Sequence, residues 1–134
     1  METYSELKIR HSQEFNNFPI CFAFSNEQLE KALLKLGAKK EDCVSIGAGG
    51  IVKKTDRKSF DNLMTRHDTE YKDAFKNNAV LIEAIVSELS NHEYGYTYDA
   101  TDTIEALGLD LDDSRQAACF QTARTQYLKA DECN

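Results

Sequence analysis

A histidine beside a carboxylate is the smallest pair that can relay a proton or begin a metal site, and the chain offers one at His92-Glu93. The pair falls where a helix should end. There an imidazole also meets open carbonyls and the negative end of the helix dipole, a structural role that needs no substrate. His67 and His92 show no ligand spacing, and no H-x-x-x-H occurs. His11 lies on an apolar helical stripe with Tyr4, Leu7 and Phe15 and reads as a hydrogen-bonded core histidine. His92 and Glu93 are therefore the only catalytic candidates, and no metal and no cofactor are expected.

The glycine-rich run Gly47-Ala48-Gly49-Gly50 invites a phosphate-loop reading. A Walker loop needs glycine directly before its Lys-Ser/Thr pair, but Lys53 precedes Lys54-Thr55. The dinucleotide fingerprint needs glycine where Val52 stands. A tight hairpin turn is the better reading. Lys53, Lys54, Arg57 and Lys58 could grip an anion, although a solvated basic face is the commoner reason for such a run. Cys21, Cys43, Cys119 and Cys133 form no C-x-x-C pair, so they read as four reduced thiols, with Cys21 and Cys43 as small core residues.

Charge is the most informative property. The chain carries −7 overall, yet the segment 77–114 carries −9 and has no Lys or Arg, so the remainder sums to +2. The acids are Glu83, Glu88, Glu93, Asp99, Asp102, Glu105, Asp110, Asp112 and Asp113. A one-sign field of this kind repels nucleic acid and anionic lipid and steers a basic protein. Tyr94, Tyr96 and Tyr98 alternate with Gly95 and Thr97, which predicts a strand with one aromatic face. Tyrosine suits protein interfaces, being apolar with a polar tip.

The elements that must position these residues follow from periodicity. Helices are predicted over 3–16, from Ser25 as N-cap (with Gln28 completing a capping box) to Gly37, from Thr55 or Asp56 to Phe75, from the Asn77-Asn78 break to about His92 with Leu81, Ile82, Ile85, Val86 and Leu89 inward, over 99–107, and over 112–129. Strands are predicted at 18–24 (a buried one), at 43–46 and 51–53 flanking the glycine turn, and at 94–98. No internal repeat, linker or low-complexity run is evident. The expectation is a single α+β domain, 1–134, with five or six helices around a small, mostly antiparallel sheet of three to four strands. No apolar window approaches the ~20 residues of a membrane span, and no secretory signal is evident, so a cytoplasmic location is expected.

Several strings carry a resemblance: Asn17-Phe18-Pro19-Ile20 with Phe22-Ala23-Phe24, Ser45-Ile46-Gly47-Ala48-Gly49-Gly50, Asn91-His92-Glu93-Tyr94, and Glu105-Ala106-Leu107-Gly108. Over about residues 12–110 the chain resembles an uncharacterised family of small proteins from Gram-positive bacteria, their plasmids and their phages. Relatives more often carry cysteine at the position of Gly95, which argues against a thiol mechanism here. The resemblance implies a small cytoplasmic accessory protein of a phage or mobile element. By analogy with small acidic proteins in that setting, it implies an inhibitor of a host nucleic-acid-binding defence protein such as a CRISPR effector.

The combined expectation is a binding protein rather than an enzyme. Glu93, Tyr96, Tyr98, Asp99, Asp102, Glu105, Asp110, Asp112 and Asp113 would contact a basic protein, for instance a nucleic-acid-binding nuclease. No direct nucleic-acid or membrane contact is expected, and the chain would be a monomer or small homo-oligomer. The alternative is a small ligand-binding domain or enzyme that uses His92, Glu93 and the Gly47–Gly50 turn. A third reading is a plain structural or assembly subunit.

Overall fold

The computed structural model describes residues 2–132. The chain order is α1 (Tyr4–Asn17), β1 (Cys21–Phe22), α2 (Asn26–Leu36), β2 (Cys43–Gly47), β3 (Gly50–Lys53), α3 (Arg57–Ala74), α4 (Asn78–Asn91), α5 (Tyr94–Thr97), α6 (Thr101–Leu107) and α7 (Ser114–Glu132), with 3₁₀ turns before β2 and α3. The architecture is α+β, seven helices with one three-stranded antiparallel sheet among the described residues. The chain forms two compact units. One is continuous, Ile9–Glu70; the other is split, taking the residues up to Lys8 and those from Tyr71 onward. The boundary falls inside α1 and inside α3.

In the continuous unit the strand order is β1-β3-β2, with Cys21 opposite Ile51 and Val44 opposite Val52. The β2–β3 turn is the glycine run. Ala48 and Gly49 both take positive φ, the pattern of a two-residue hairpin, and Gly47 (φ 91°) forms an irregularity in the ladder. Ser25 caps α2 by accepting from the Gln28 N–H, and the Gln28 side chain reaches back to the Phe24 N–H, so the reciprocal cap expected from the sequence forms one residue early. Gly37 ends α2 in the left-handed conformation. The buried apolar side chains of this unit are few: Ala32, Leu36 and Val52.

The split unit is built on α4 against α7. Asn77 caps α4 through the Val80 N–H, and α4 buries Leu81, Ile85 and Leu89 completely. These pack with Tyr94, Cys119, Phe120 and Ala123, and Phe75, Ile104 and Tyr127 lie around them. The N-terminal end of α1 joins this unit through long-range contacts. Glu83 accepts from the Tyr4 and Ser5 N–H groups and the Ser5 hydroxyl, and Tyr4 Oη donates to Glu88 at 3.1 Å.

Four expectations are corrected. The apolar run 18–24 is not a buried strand: only Cys21 and Phe22 pair, at the sheet edge, and Phe24 is 75% exposed. Tyr94 to Tyr98 is not a strand but the helical turn α5. Neither Thr55 nor Asp56 caps α3; both lie in the 3₁₀ turn that leads into it. Cys21 and Cys43 are half-buried, and Cys119 is the buried thiol. Cys133 lies outside the described residues.

Candidate functional site

The predicted contact residues sit on a short connection between α4 and α7. α4 ends with His92 as its C-cap, and Glu93 then takes φ 54°. α5 follows and ends at Tyr98, φ 53°. Two non-glycine residues in the left-handed region within six positions are unusual, and such backbone persists only where surrounding contacts hold it. The holding contacts are visible. Tyr94 is buried, meets Tyr98 and Tyr127 edge-to-face at 5.9 Å, and the Tyr127 hydroxyl accepts from the Gly95 N–H. The result is an aromatic knuckle. Tyr96 is 88% exposed and Tyr98 70%.

The acids divide into two groups. Glu83 and Glu88 are structural. Burial pushes the Glu83 carboxyl upward, but the hydrogen bonds from Ser5 and Tyr4 prevail and hold it below its ordinary value. Glu93, Asp99, Asp102, Glu105, Asp110 and Asp112 are exposed, and Asp113 is half-buried. Asp99 is held low by hydrogen bonds from the Thr101 hydroxyl and N–H. The Asp110 side chain accepts from the Asp112 N–H.

His92 does not pair with Glu93. Its Nε2 lies 3.3 Å from Glu88 Oε2 and its Nδ1 4.0 Å from Asp102. Glu88 also receives the Tyr4 hydroxyl, and Lys8 Nζ lies 3.9 Å away. Burial, reinforced by the Glu88 charge, pushes the Tyr4 phenol above its ordinary range, so it stays protonated and donates. The partner of His92 is thus Glu88, one helical turn earlier and on the same face, and not the adjacent Glu93. The Gly47–Gly50 turn belongs to the other unit. There Phe24, Ser25, Leu29 and Gly49 line an open hollow of about 350 Å³ with no Lys or Arg in its lining. Arg57 is engaged with Asp61 and the Ser45 carbonyl.

A further cluster was missed in the sequence. Arg10-His11-x-x-Glu14 on α1 and Arg66-His67-x-x-Glu70 on α3 are the same string twice. Spacing i, i+3 puts each His and Glu on one helical face. The imidazoles stack at 3.8 Å and 12°, at 5% and 8% exposure. Glu14 and Glu70 are each shared by Arg10 and Arg66: Arg10 reaches Glu14 at 3.0 Å and Glu70 at 2.5 Å, Arg66 reaches Glu70 at 2.8 Å, and Arg66 also pairs with Glu14. The Arg66 hydrogen bond holds Glu14 down to about 2, and Arg10 likewise lowers Glu70. Burial first, then the neighbouring His67, lowers His11 and favours its neutral form. The repeated string was the signal, legible only by comparing the two segments.

Residues 3–130, nearly the whole chain, match the model of a family of unknown function, DUF7659. The chain belongs to that family. No curated protein and no solved structure matches it. In this DUF7659 chain the match takes in both R-H-x-x-E strings, the knuckle and the exposed acids. No helix among the described residues is long and apolar enough to cross a membrane.

Proposed function

We propose that the protein is a non-enzymatic binding protein whose knuckle, with Tyr96 and Tyr98 as anchors, docks on a basic protein through Glu93, Asp99, Asp102, Glu105, Asp110, Asp112 and Asp113. The observation that carries this reading is the exposure of two tyrosines on a turn of constrained backbone, within a segment that lacks any Lys or Arg. Exposed aromatics held in one conformation lose little entropy on binding, and acids around them supply steering and register. A surface that normally holds nucleic acid has the complementary charge. The proposed setting is the cytoplasm of a Gram-positive host, with the chain as an accessory protein of a phage or mobile element and a host nuclease, such as a CRISPR effector, as its target. The second reading, an enzyme or ligand-binding domain at the His92–Glu93 region, now rests on His92 with Glu88 and Asp102.

The test is capture of a partner from host lysate at low and high salt, repeated with two folded variants. One carries Asp102, Glu105, Asp110 and Asp112 changed to lysine; the other carries Tyr96→Ala with Tyr98→Ala. A partner retained at low salt, released at high salt and lost by both variants supports the proposal. Each anchor tyrosine should weaken binding about 30-fold, the equivalent of ~2 kcal/mol. Unchanged capture by both variants overturns it.

A further inference from the structure

We infer that His11, His67 and Glu14 form a binding site for a zinc-like divalent transition metal, in the continuous unit and independent of the knuckle. One donor atom from each of the three lies within 4.8 Å of the others. Two neutral imidazoles and one carboxylate are a donor set that zinc takes with three protein ligands and one open position. An i, i+3 His/Glu pair projecting from each of two helices is also how helical proteins aim metal ligands at one point.

The second observation is electronic. His67 Nε2 is buried and makes no hydrogen bond; Glu14 Oε1 lies 3.6 Å away, beyond bonding reach. A buried polar atom without a partner costs about 1–3 kcal/mol, so such an atom calls for an occupant. A cation takes the lone pair of a neutral imidazole.

The charge network can release the carboxylate it holds. Glu14 Oε1 faces His67 and accepts from Arg10 at 3.0 Å and, at a longer 3.4 Å, from Arg66, whereas Oε2 pairs with Arg66 alone. Turning Oε1 to a metal leaves Oε2 with Arg66. Arg10 keeps its contact to Glu70. Glu70 therefore remains the partner of both arginines while Glu14 coordinates. Geometry sets one requirement. A tetrahedral ion holds its donors about 3.3 Å apart, with each ring's lone pair in the ring plane. The donors must close by up to about 1.5 Å, and at least one imidazole must turn out of the stack. A water completes the fourth position.

The experiment uses the full chain, stripped with chelator and titrated with zinc(II) by calorimetry and with cobalt(II) by visible absorption. Expected are one equivalent at micromolar affinity or tighter, the intense absorption of tetrahedral cobalt, and no competition from magnesium or calcium, which prefer all-oxygen sites. The ring resonances of His11 and His67 should shift on zinc addition, and those of His92 should not. His67→Gln and Glu14→Gln, with folding checked by circular dichroism, should each weaken binding at least tenfold or so. Absence of saturable binding to the wild-type chain overturns the inference. So does zinc that shifts His92 while leaving His11 and His67 unmoved.

Discussion

The two units solve the same problem, holding helices together, by different chemistry. In the split unit α4 and α7 meet through Leu81, Ile85, Leu89, Phe120 and Ala123, all buried and apolar. In the continuous unit α1 and α3 meet through one aromatic edge, Phe15 on Phe60, and otherwise through stacked imidazoles and two glutamates that each bind two arginines. Apolar burial is non-directional and tolerates sliding; paired charges fix one register and depend on pH and salt. The unit with the smaller apolar core is thus the one whose helix contact is specified mainly by polar geometry.

The comparison can be broken most forcefully at Ile85. Ile85→Ala removes a side chain with no exposure and should cost about 2–5 kcal/mol in urea unfolding. A loss below about 1 kcal/mol would mean that the apolar cluster is not what holds α4. Next come the helix stops, one per unit. Gly37 (φ 64°) and Gly108 (φ 61°) both have open space where a Cβ would stand, so Gly37→Ala and Gly108→Ala should each cost only the backbone strain, about 1–2 kcal/mol. Unequal losses would expose a difference in how rigidly each unit holds its helix ends. The N-caps are a smaller matched pair: Ser25→Ala and Asn77→Ala should each cost about 1 kcal/mol by thermal unfolding.

Acid gives the finest comparison. Glu14 and Glu83 both have folded values below their ordinary 4.5, so each contributes stability that is present above pH 4.5 and lost as pH falls toward the folded value. For Glu14 in the metal-free chain that window runs from 4.5 down to about 2. Carboxyl resonances followed by NMR should place Glu14 lower than most acids of the chain, and Glu14→Gln should flatten the acid limb of the stability curve. High salt should blunt the Glu14 effect, because its partners are solvent-accessible. A salt-insensitive Glu14 would contradict the polar reading of the α1–α3 contact.

Much of the fold was legible where local chemistry is self-sufficient. Ser25 with Gln28, Gly37, Asn77 and Gly108 mark helix ends by their own hydrogen bonds or backbone freedom, and the structure places ends there. Errors arose where the pattern fits two periods. Tyr94, Tyr96 and Tyr98 alternate as in a strand, but Tyr94 and Tyr98 are also one helical turn apart, and the buried cluster under Tyr94 selects the turn. The run 18–24 is apolar enough for a core strand. The Ser25 cap of α2 ends it early, and only Cys21 and Phe22 reach β3. The exposed acids were readable from composition. The His–Glu–Arg cluster was not, because each histidine considered alone looks like an ordinary core residue.

The split unit has a consequence for the order of events on the ribosome. Ile9–Glu70 is one uninterrupted stretch, so its sheet and helices can close as soon as that stretch has emerged. Tyr4 and Ser5 are made earlier but must wait for Glu83 and Glu88 before their hydrogen bonds exist. Until the end of α3 brings Tyr71 and Phe75 to the Tyr4 ring, and α4 brings Glu83 and Glu88 to its polar groups, the first turn of α1 has only local contacts to hold it, and Tyr4 stands open to solvent and to chaperones.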